Sequence, residues 1–254
     1  MAIQNVFRRH EIKYLVTSEQ RKRITDAMTE YMVPDEYGRS TVCSVYYDTP
    51  DKLLIRRSIE GPLYKEKLRV RSYGTAKDGD RVFVEIKKKY KHVTYKRRVG
   101  LELREAERWL SGTPPERTSD IKPSRAQIMN EIDYFLSRYN GIEPSVFISA
   151  EREAFYAKDD HEFRLTFDDN ILWRDTELSL SSDVYGAPLL EAGTSLMEIK
   201  VGAAYPLWIC RLLSEEGLFK TKFSKYGLAY KSTLAAEYLF KGETENDGDF
   251  QRTV

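Results

Sequence analysis

The sequence predicts an α+β fold: an antiparallel β-sheet closed into a barrel around a basic interior, with helices covering the outside. Three observations predict it. Lys65, Lys67, Arg69 and Arg71 alternate with Tyr64, Glu66, Leu68 and Val70, so four cations fall on one face of a single strand. The same two-residue period divides further segments into a charged and an apolar face. Arg164, Thr166 and Asp168 oppose Phe163, Leu165 and Phe167; Glu198 and Lys200 oppose Met197, Ile199 and Val201; Glu85 and Lys87 oppose Val82, Val84 and Ile86; Arg9, Glu11 and Lys13 oppose Ile12, Tyr14 and Val16. Finally, the signs are segregated: Lys and Arg dominate the charged strand positions, while acids collect in helical stretches, as at Glu102, Glu105, Glu107, Glu215 and Glu216.

Like charges on one strand face stand about 7 Å apart. At an effective dielectric of about 20 such a pair repels by about 2 kcal/mol, and in water by about 0.6 kcal/mol. The row therefore faces solvent or surrounds a polyanion. For one strand alone, a solvated face is the simpler reading. Repetition over several strands changes the balance, because a surface shaped for solubility intersperses its signs. Barrel closure turns the cationic faces inward and leaves the apolar faces for helices, giving a basic, water-filled tunnel.

In chain order, Val6 to Val16 reads as a strand, and Ser18 with Glu19 and Gln20 as the cap and first turn of a short helix. A linker follows at Pro34 to Gly38. Val42 to Asp48, Leu63 to Tyr73, Arg81 to Lys89 and His92 to Val99 are rich in Val, Tyr, Phe and Thr and are separated by turn formers such as Gly74 and Asp78-Gly79-Asp80, so they read as strands. Helical patterns lie at Leu101 to Leu110 and at Arg125 to Tyr139, where Ile128, Ile132, Phe135, Leu136 and Tyr139 form an apolar stripe. Gly112 to Pro123 is the loop between them. Ser145 to Tyr156, Glu162 to Asp168 and Leu189 to Val201 are the last strands, with Ser179 to Pro188 a polar connection. Helices at Pro206 to Glu216 and Ser224 to Phe240 close the fold.

The 254 residues fit one large β-rich domain, taken as 1–241, followed by a polar tail at 242–254 expected to be disordered. With 41 Lys and Arg against 40 Asp and Glu the net charge is +1, which argues against holding nucleic acid by bulk attraction; an anion site must be local. The start of the chain lacks a signal-peptide core, and no stretch approaches the roughly 18 apolar residues of a membrane segment, so a cytoplasmic protein is expected. Cys43 and Cys210 lack metal-type spacing and read as buried small hydrophobes. Tyr37, Tyr46, Tyr47 and Tyr73 lie near basic residues, where base stacking is conceivable, but in a sheet protein such tyrosines are expected in the core.

Taken together, Arg9-His10-Glu11-Ile12-Lys13-Tyr14, Ser44-Val45-Tyr46-Tyr47-Asp48, Leu68-Arg69-Val70-Arg71, Phe83-Val84-Glu85-Ile86-Lys87, Arg152-Glu153-Ala154-Phe155, Arg164-Leu165-Thr166-Phe167-Asp168, Glu198-Ile199-Lys200 and Lys222-Phe223-Ser224-Lys225-Tyr226 carry a resemblance. Their order and spacing, from Phe7 to Phe240, resemble the VTC-type polyphosphate polymerase domain and, more broadly, the triphosphate tunnel metalloenzymes of the CYTH superfamily. The resemblance implies an eight-stranded antiparallel tunnel that holds ATP and a growing inorganic polyphosphate chain, with phosphate or pyrophosphate as the other partners. It implies that Lys13, Arg69, Arg71, Lys87, Lys96, Arg152, Arg164 and Lys200 grip phosphoryl oxygens, that Lys222 and Lys225 stand near the phosphate exit, and that Glu198 holds Mg²⁺ or Mn²⁺. Arg9, Glu11 and Glu85 line the same nucleotide site, Glu11 and Glu85 as partners that fix neighbouring cations rather than as general bases. Lys65 and Lys67 extend the row toward an opening or into solvent.

Two departures stand out. Arg9 occupies the first position of the Glu-x-Glu-x-Lys pattern of many tunnel hydrolases, which favours the polymerase branch, and Ala150 stands where the polymerase pattern usually has a phosphate-contacting Tyr. The rival expectations are hydrolysis of triphosphates in the same tunnel, and a non-catalytic module binding polyphosphate or an inositol phosphate. Phosphoryl transfer asks for positioning and charge neutralisation, so no nucleophilic triad is needed, and His10, His92 and His161 lie in unrelated contexts.

Overall fold

A computed structural model describes residues 10–91, 93–117, 121–160, 162–202 and 204–234. Strand β1 (His10–Thr17) runs directly into helix α1 (Ser18–Met28). The cap is Thr17, one residue before the expected Ser18. Its hydroxyl accepts from the Gln20 amide at 3.2 Å, and the Gln20 side chain accepts from the Thr17 amide at 3.0 Å, a reciprocal pair that satisfies two helix-end donors. A short strand not expected from the sequence, β2 (Met32–Pro34), ends at the first residue of the expected linker. After β3 (Ser40–Asp48) comes α2 (Leu53–Glu60), a helix that sequence reasoning missed. Strands β4 (Tyr64–Tyr73), β5 (Arg81–Tyr90) and β6 (Val93–Glu102) form a meander. Helix α3 (Leu103–Leu110) starts later than expected because Leu101 and Glu102 still pair with Val82 and Arg81. Helix α4 (Pro123–Arg138) opens on a proline, whose missing N–H has no partner to lose in a first turn. The remainder is β7 (Glu143–Ala157), β8 (Arg164–Arg174), β9 (Ala187–Pro188), β10 (Thr194–Val201), α5 (Leu207–Glu215) and α6 (225–234). The expected tail at 242–254 lies outside the described residues.

All pairings are antiparallel, in the order β1-β10-β8-β7-β3-β4-β5-β6, with β2 added to β7 and β9 to β8. The expectation of a closed eight-stranded barrel is corrected here. The sheet has ten strands and, among the described residues, no backbone ladder joins β1 to β6. It curls nonetheless, because Lys87 of β5 reaches Glu11 of β1 at 3.2 Å across the gap. The free edge of β1 is occupied instead by the segment before α6, where the Thr221 amide donates to the Lys13 carbonyl at 2.8 Å.

The apolar strand faces are covered from outside by two helical layers. Val45, Leu68, Val70, Val84 and Ile86 pack under α3 and α4 through Ala106, Trp109, Ile132 and Phe135. Phe163, Leu165, Phe167, Met197 and Ile199 pack under α1 and α5 through Ile24, Met28 and Ile209. A third cluster lies on the inner face itself: Tyr46, Val146, Ile148, Ala150 and Leu196 pack against Ile55 of α2 and Tyr226 and Ala229 of α6. The interior is therefore charged over one part and apolar over another, not polar throughout as expected. Cys43 is buried as expected, whereas Cys210 is exposed on α5.

Asp48 explains how α2 forms without a local cap. The carboxylate is fully buried and accepts from the amides of Thr49 (2.8 Å), Leu54 (2.8 Å) and Ile55 (3.0 Å) and from the Tyr226 hydroxyl (2.7 Å). It thus ties β3, α2 and α6 together. Because Asp48→Ala strands several buried donors at once, it is expected to lower the stability measured by urea unfolding by about 3 kcal/mol or more.

Candidate functional site

Glu85 of β5 is the hub of one half of the inner face. Its side chain is 1% exposed and receives Arg69 Nε at 2.8 Å, Arg69 Nη2 at 2.7 Å and Lys96 Nζ at 2.9 Å, with Arg71 Nε at 3.8 Å. Burial alone would raise its carboxyl, but Arg69, Arg71 and Lys96 outweigh that and hold it well below the usual carboxylate range. The pairing follows from register, since Arg69 faces Glu85 across β4 and β5. The third nitrogen of Arg69 donates to the Tyr46 hydroxyl at 2.9 Å.

Asp168 of β8 is the hub of the other half and is wholly buried. Arg152, its register partner on β7, forks onto it at 2.6 and 2.7 Å, and Lys225 of α6 donates to the same carboxylate. Two cations from opposite sides of the interior therefore share one acid, which they hold well below the normal Asp range against burial. Glu11 is likewise held down: burial pushes its carboxyl up, but Lys87, Lys200 and Lys13 bring it to about 2. Lys13 Nζ donates to the Phe223 carbonyl at 3.0 Å and Lys67 Nζ to the Ser224 hydroxyl at 3.1 Å, so the start of α6 is stitched to β1 and β4. Lys65 turns to the Ser58 carbonyl at 3.0 Å. Lys65 and Lys67 are thus both anchored rather than merely solvated.

Glu198 sits between Lys13 of β1 and Thr166 of β8 in register. It is 5% exposed, and its Oε1 has no hydrogen-bond partner among the described residues; Lys200 approaches only to 3.9 Å. The Thr166 hydroxyl opposite is also buried without a partner. An orphaned carboxylate oxygen calls for a cation. Among the described residues no group of three or more His, Cys, Asp or Glu side chains could hold a metal. A single carboxylate completed by phosphate and water oxygens suits Mg²⁺ or Mn²⁺, so these residues fit such an ion.

The curled sheet gathers Glu11, Lys13, Arg69, Arg71, Glu85, Lys87, Lys96, Arg152, Glu198, Lys200 and Lys225 through a continuous set of contacts and register pairs. Arg164 pairs in register with Lys200 but is exposed, and Lys222 is exposed on the segment before α6. Arg9, His92 and His161 lie outside the described residues, as does the side chain of His10. Ala150 is buried in the apolar inner cluster and presents no polar group. Sequence reasoning missed Asp168, Tyr46 and Ser224. The alternation that singled out Arg164 already placed Asp168 on the charged face. Tyr46 and Tyr47 are buried as expected, whereas Tyr37 and Tyr73 are exposed.

With this geometry in hand, comparison with known proteins is decisive on family. The family model described as VTC domain matches residues 8–234. The chain belongs to the VTC domain family. No curated protein matches it in sequence. Among solved structures, a candidate adenylate cyclase from Bacillus halodurans is similar with a TM-score of 0.50 at 13% identity, over 87% of this chain and 94% of that one. Another from Vibrio parahaemolyticus gives 0.47 at 13% over 89% and 99%. A Hippeastrum protein described as a candidate adenylyl cyclase with dominant triphosphatase activity gives 0.49 at 13% over 87% and 95%. At 13% identity the likeness to the Bacillus halodurans protein is one of fold alone. No described helix of this VTC domain is long and apolar enough to cross a membrane.

Several lysines of the VTC domain's inner face are drawn down toward neutrality. Burial is the leading cause in lowering Lys96 to about 7 and Lys67 to about 8. Each is charged below its value and loses that charge as pH rises through it. An added polyanion raises both values, so binding of inorganic tripolyphosphate near pH 7.5 should take up protons and weaken toward pH 9. Calorimetry in buffers of different ionisation enthalpy reads this directly; zero net proton uptake contradicts it.

Proposed function

We propose that this VTC domain, with residues 1–241 as its single tunnel domain, is a polyphosphate polymerase. It transfers the γ-phosphoryl group of ATP to phosphate, pyrophosphate or the end of a growing inorganic polyphosphate chain. The observation that carries this reading is the gathering of cations from β1, β10, β7, β4, β5, β6 and α6 on one curled inner face that also holds a buried Glu198, one of whose oxygens has no hydrogen-bond partner among the described residues.

In the reaction a terminal oxygen of the acceptor forms a bond to the γ-phosphorus, the bond from that phosphorus to the β-bridging oxygen breaks, and ADP departs with the electron pair. Such chemistry demands alignment and neutralisation of spread negative charge. Arg152 is already oriented by Asp168, which takes its Nε and Nη2 and leaves Nη1 for phosphoryl oxygens, whereas Glu85 and Tyr46 engage all three nitrogens of Arg69 and leave it only the second N–H of each Nη. Lys87, Lys96, Lys200 and Lys225 add mobile point charges along which a polyanion can slide. Glu11 and Glu85 are engaged by cations and act as their partners, not as bases. Glu198 would hold Mg²⁺ or Mn²⁺, which when bound supplies charge neutralisation at the phosphoryl oxygens. A requirement for ATP, together with the unpaired thiols Cys43 and Cys210, fits a cytoplasmic setting.

Incubation with ATP and Mn²⁺ or Mg²⁺, with products resolved on a gel, tests the reading. Long phosphate chains with release of ADP are expected; free phosphate alone would make the domain a hydrolase, and anion binding without ADP release a binding module. Glu198→Ala should lower turnover about 100-fold or more while leaving thermal unfolding nearly unchanged. Full activity in that variant would remove Glu198 from the site.

A further inference from the structure

Tyr46 lies on the inner face of β3, in register with Arg69 of β4. It is 8% exposed, and its ring stacks on Tyr226 with centroids 4.9 Å apart, which fixes the direction of the hydroxyl. The oxygen accepts from Arg69 Nη1 at 2.9 Å, yet among the described residues no acceptor takes the hydroxyl's own hydrogen. Tyr226 differs in this respect, since its hydroxyl donates to Asp48 at 2.7 Å and meets the Ser145 hydroxyl at 2.8 Å. A nearly buried donor without an acceptor is costly, and it marks the place where an acceptor is missing.

The charged and titratable groups facing Tyr46 come from three elements: Lys67, Arg69 and Arg71 of β4, Lys225 and Tyr226 of α6, and Lys13 of β1. All are cations except Tyr226. The acceptor that fits this place is an anion.

We propose that Tyr46 is a binding residue of the interior, donating its phenolic hydrogen to a phosphoryl oxygen of the bound polyanion while Arg69 holds the phenolic oxygen from the other side. The inference rests on the polyanion reading above and adds a neutral donor to its set of cations. A neutral donor grips without adding charge, which suits a chain that must advance. The same surroundings make the grip sensitive to pH. Burial alone would raise the Tyr46 phenol, but Arg69, followed by Lys67, Arg71 and Lys225, outweighs it and brings it down to about 7. Below that value the hydroxyl donates; above it a phenolate repels the polyanion and neutralises Arg69. A bound polyanion favours the protonated form and raises the value.

The test is the affinity of the full chain and of Tyr46→Phe for inorganic tripolyphosphate, in chelator and without metal, across a range from about pH 6 to about pH 9. The ratio of the two affinities cancels the titration of the ligand and isolates what the Tyr46 hydroxyl contributes, through its own bond and through its charge on Lys13, Lys67 and Lys225. The parent should bind about tenfold more tightly near pH 6, and the ratio should fall through one as the phenol ionises. Tyr37→Phe, which removes an exposed hydroxyl, should behave as the parent. In the unaltered chain, the tyrosinate absorbance midpoint near neutrality should move to higher pH when tripolyphosphate is added, a readout that needs no variant to fold. A ratio of one at every pH, or an absorbance midpoint unmoved by ligand, would overturn the role of Tyr46 alone. Failure of the unaltered chain to bind tripolyphosphate would bring down the polyanion reading and this inference with it.

Discussion

The constraint on which the structure depends is the pairing of charge inside a curled sheet. Strand alternation sends cations inward from many directions, and their mutual repulsion grows as water is excluded. Two buried acids make this tolerable. Glu85 gathers Arg69, Arg71 and Lys96, and Asp168 gathers Arg152 and Lys225. Each acid is shared by more than one cation, so the interior retains an excess of positive charge while Arg69, Arg71 and Arg152 each still have a counter-ion. Complete neutralisation would remove the attraction for an anion, and none at all would oppose folding.

The same acids aim the cations. A guanidinium held by its fork on one edge presents the other edge in a fixed direction, which limits reorganisation when an anion arrives. Glu198 contrasts with these two hubs. It too is buried, but its Oε1 meets Lys200 only at 3.9 Å, whereas Glu85 Oε1, also without a hydrogen bond, has Lys96 at 2.9 Å. Lys13 turns instead to the Phe223 carbonyl. The carboxylate that lysine approaches only loosely is the one suited to a cation of another kind.

The segment leading into α6 completes the interior without closing the sheet. Residues 221–226 meet the edge of β1, then Lys67 of β4, Asp168 of β8 and Asp48 of β3. Side-chain and edge contacts thus do the joining that a closed barrel would achieve with a backbone ladder. The curl also leaves room for the apolar cluster of Tyr46, Val146, Ile148 and Leu196, which anchors α2 and α6 against the inner wall.

Local pattern alone located eight of the ten strands and their charged and apolar faces, though not β2 and β9 or the far end of β8, because a two-residue period is a property of the chain's own geometry: Phe163, Leu165 and Phe167 went to the core and Arg164, Thr166 and Asp168 to the other side, as alternation requires. Helix α2 was not legible, since its first amide is satisfied by the Thr49 hydroxyl and the next two by Asp48 from the preceding strand, not by a residue at the cap position. Tyr46 read as core, and by burial it is, but its function lies in the Arg69 contact made by a neighbouring strand. The path of the sheet, its lack of closure, the sharing of Asp168 between β7 and α6 and the orphaned oxygen of Glu198 were decided only in three dimensions. They depend on which strands become neighbours and which side chains meet across an interior, and these distances are set by the packing of the whole chain, not by any stretch of it.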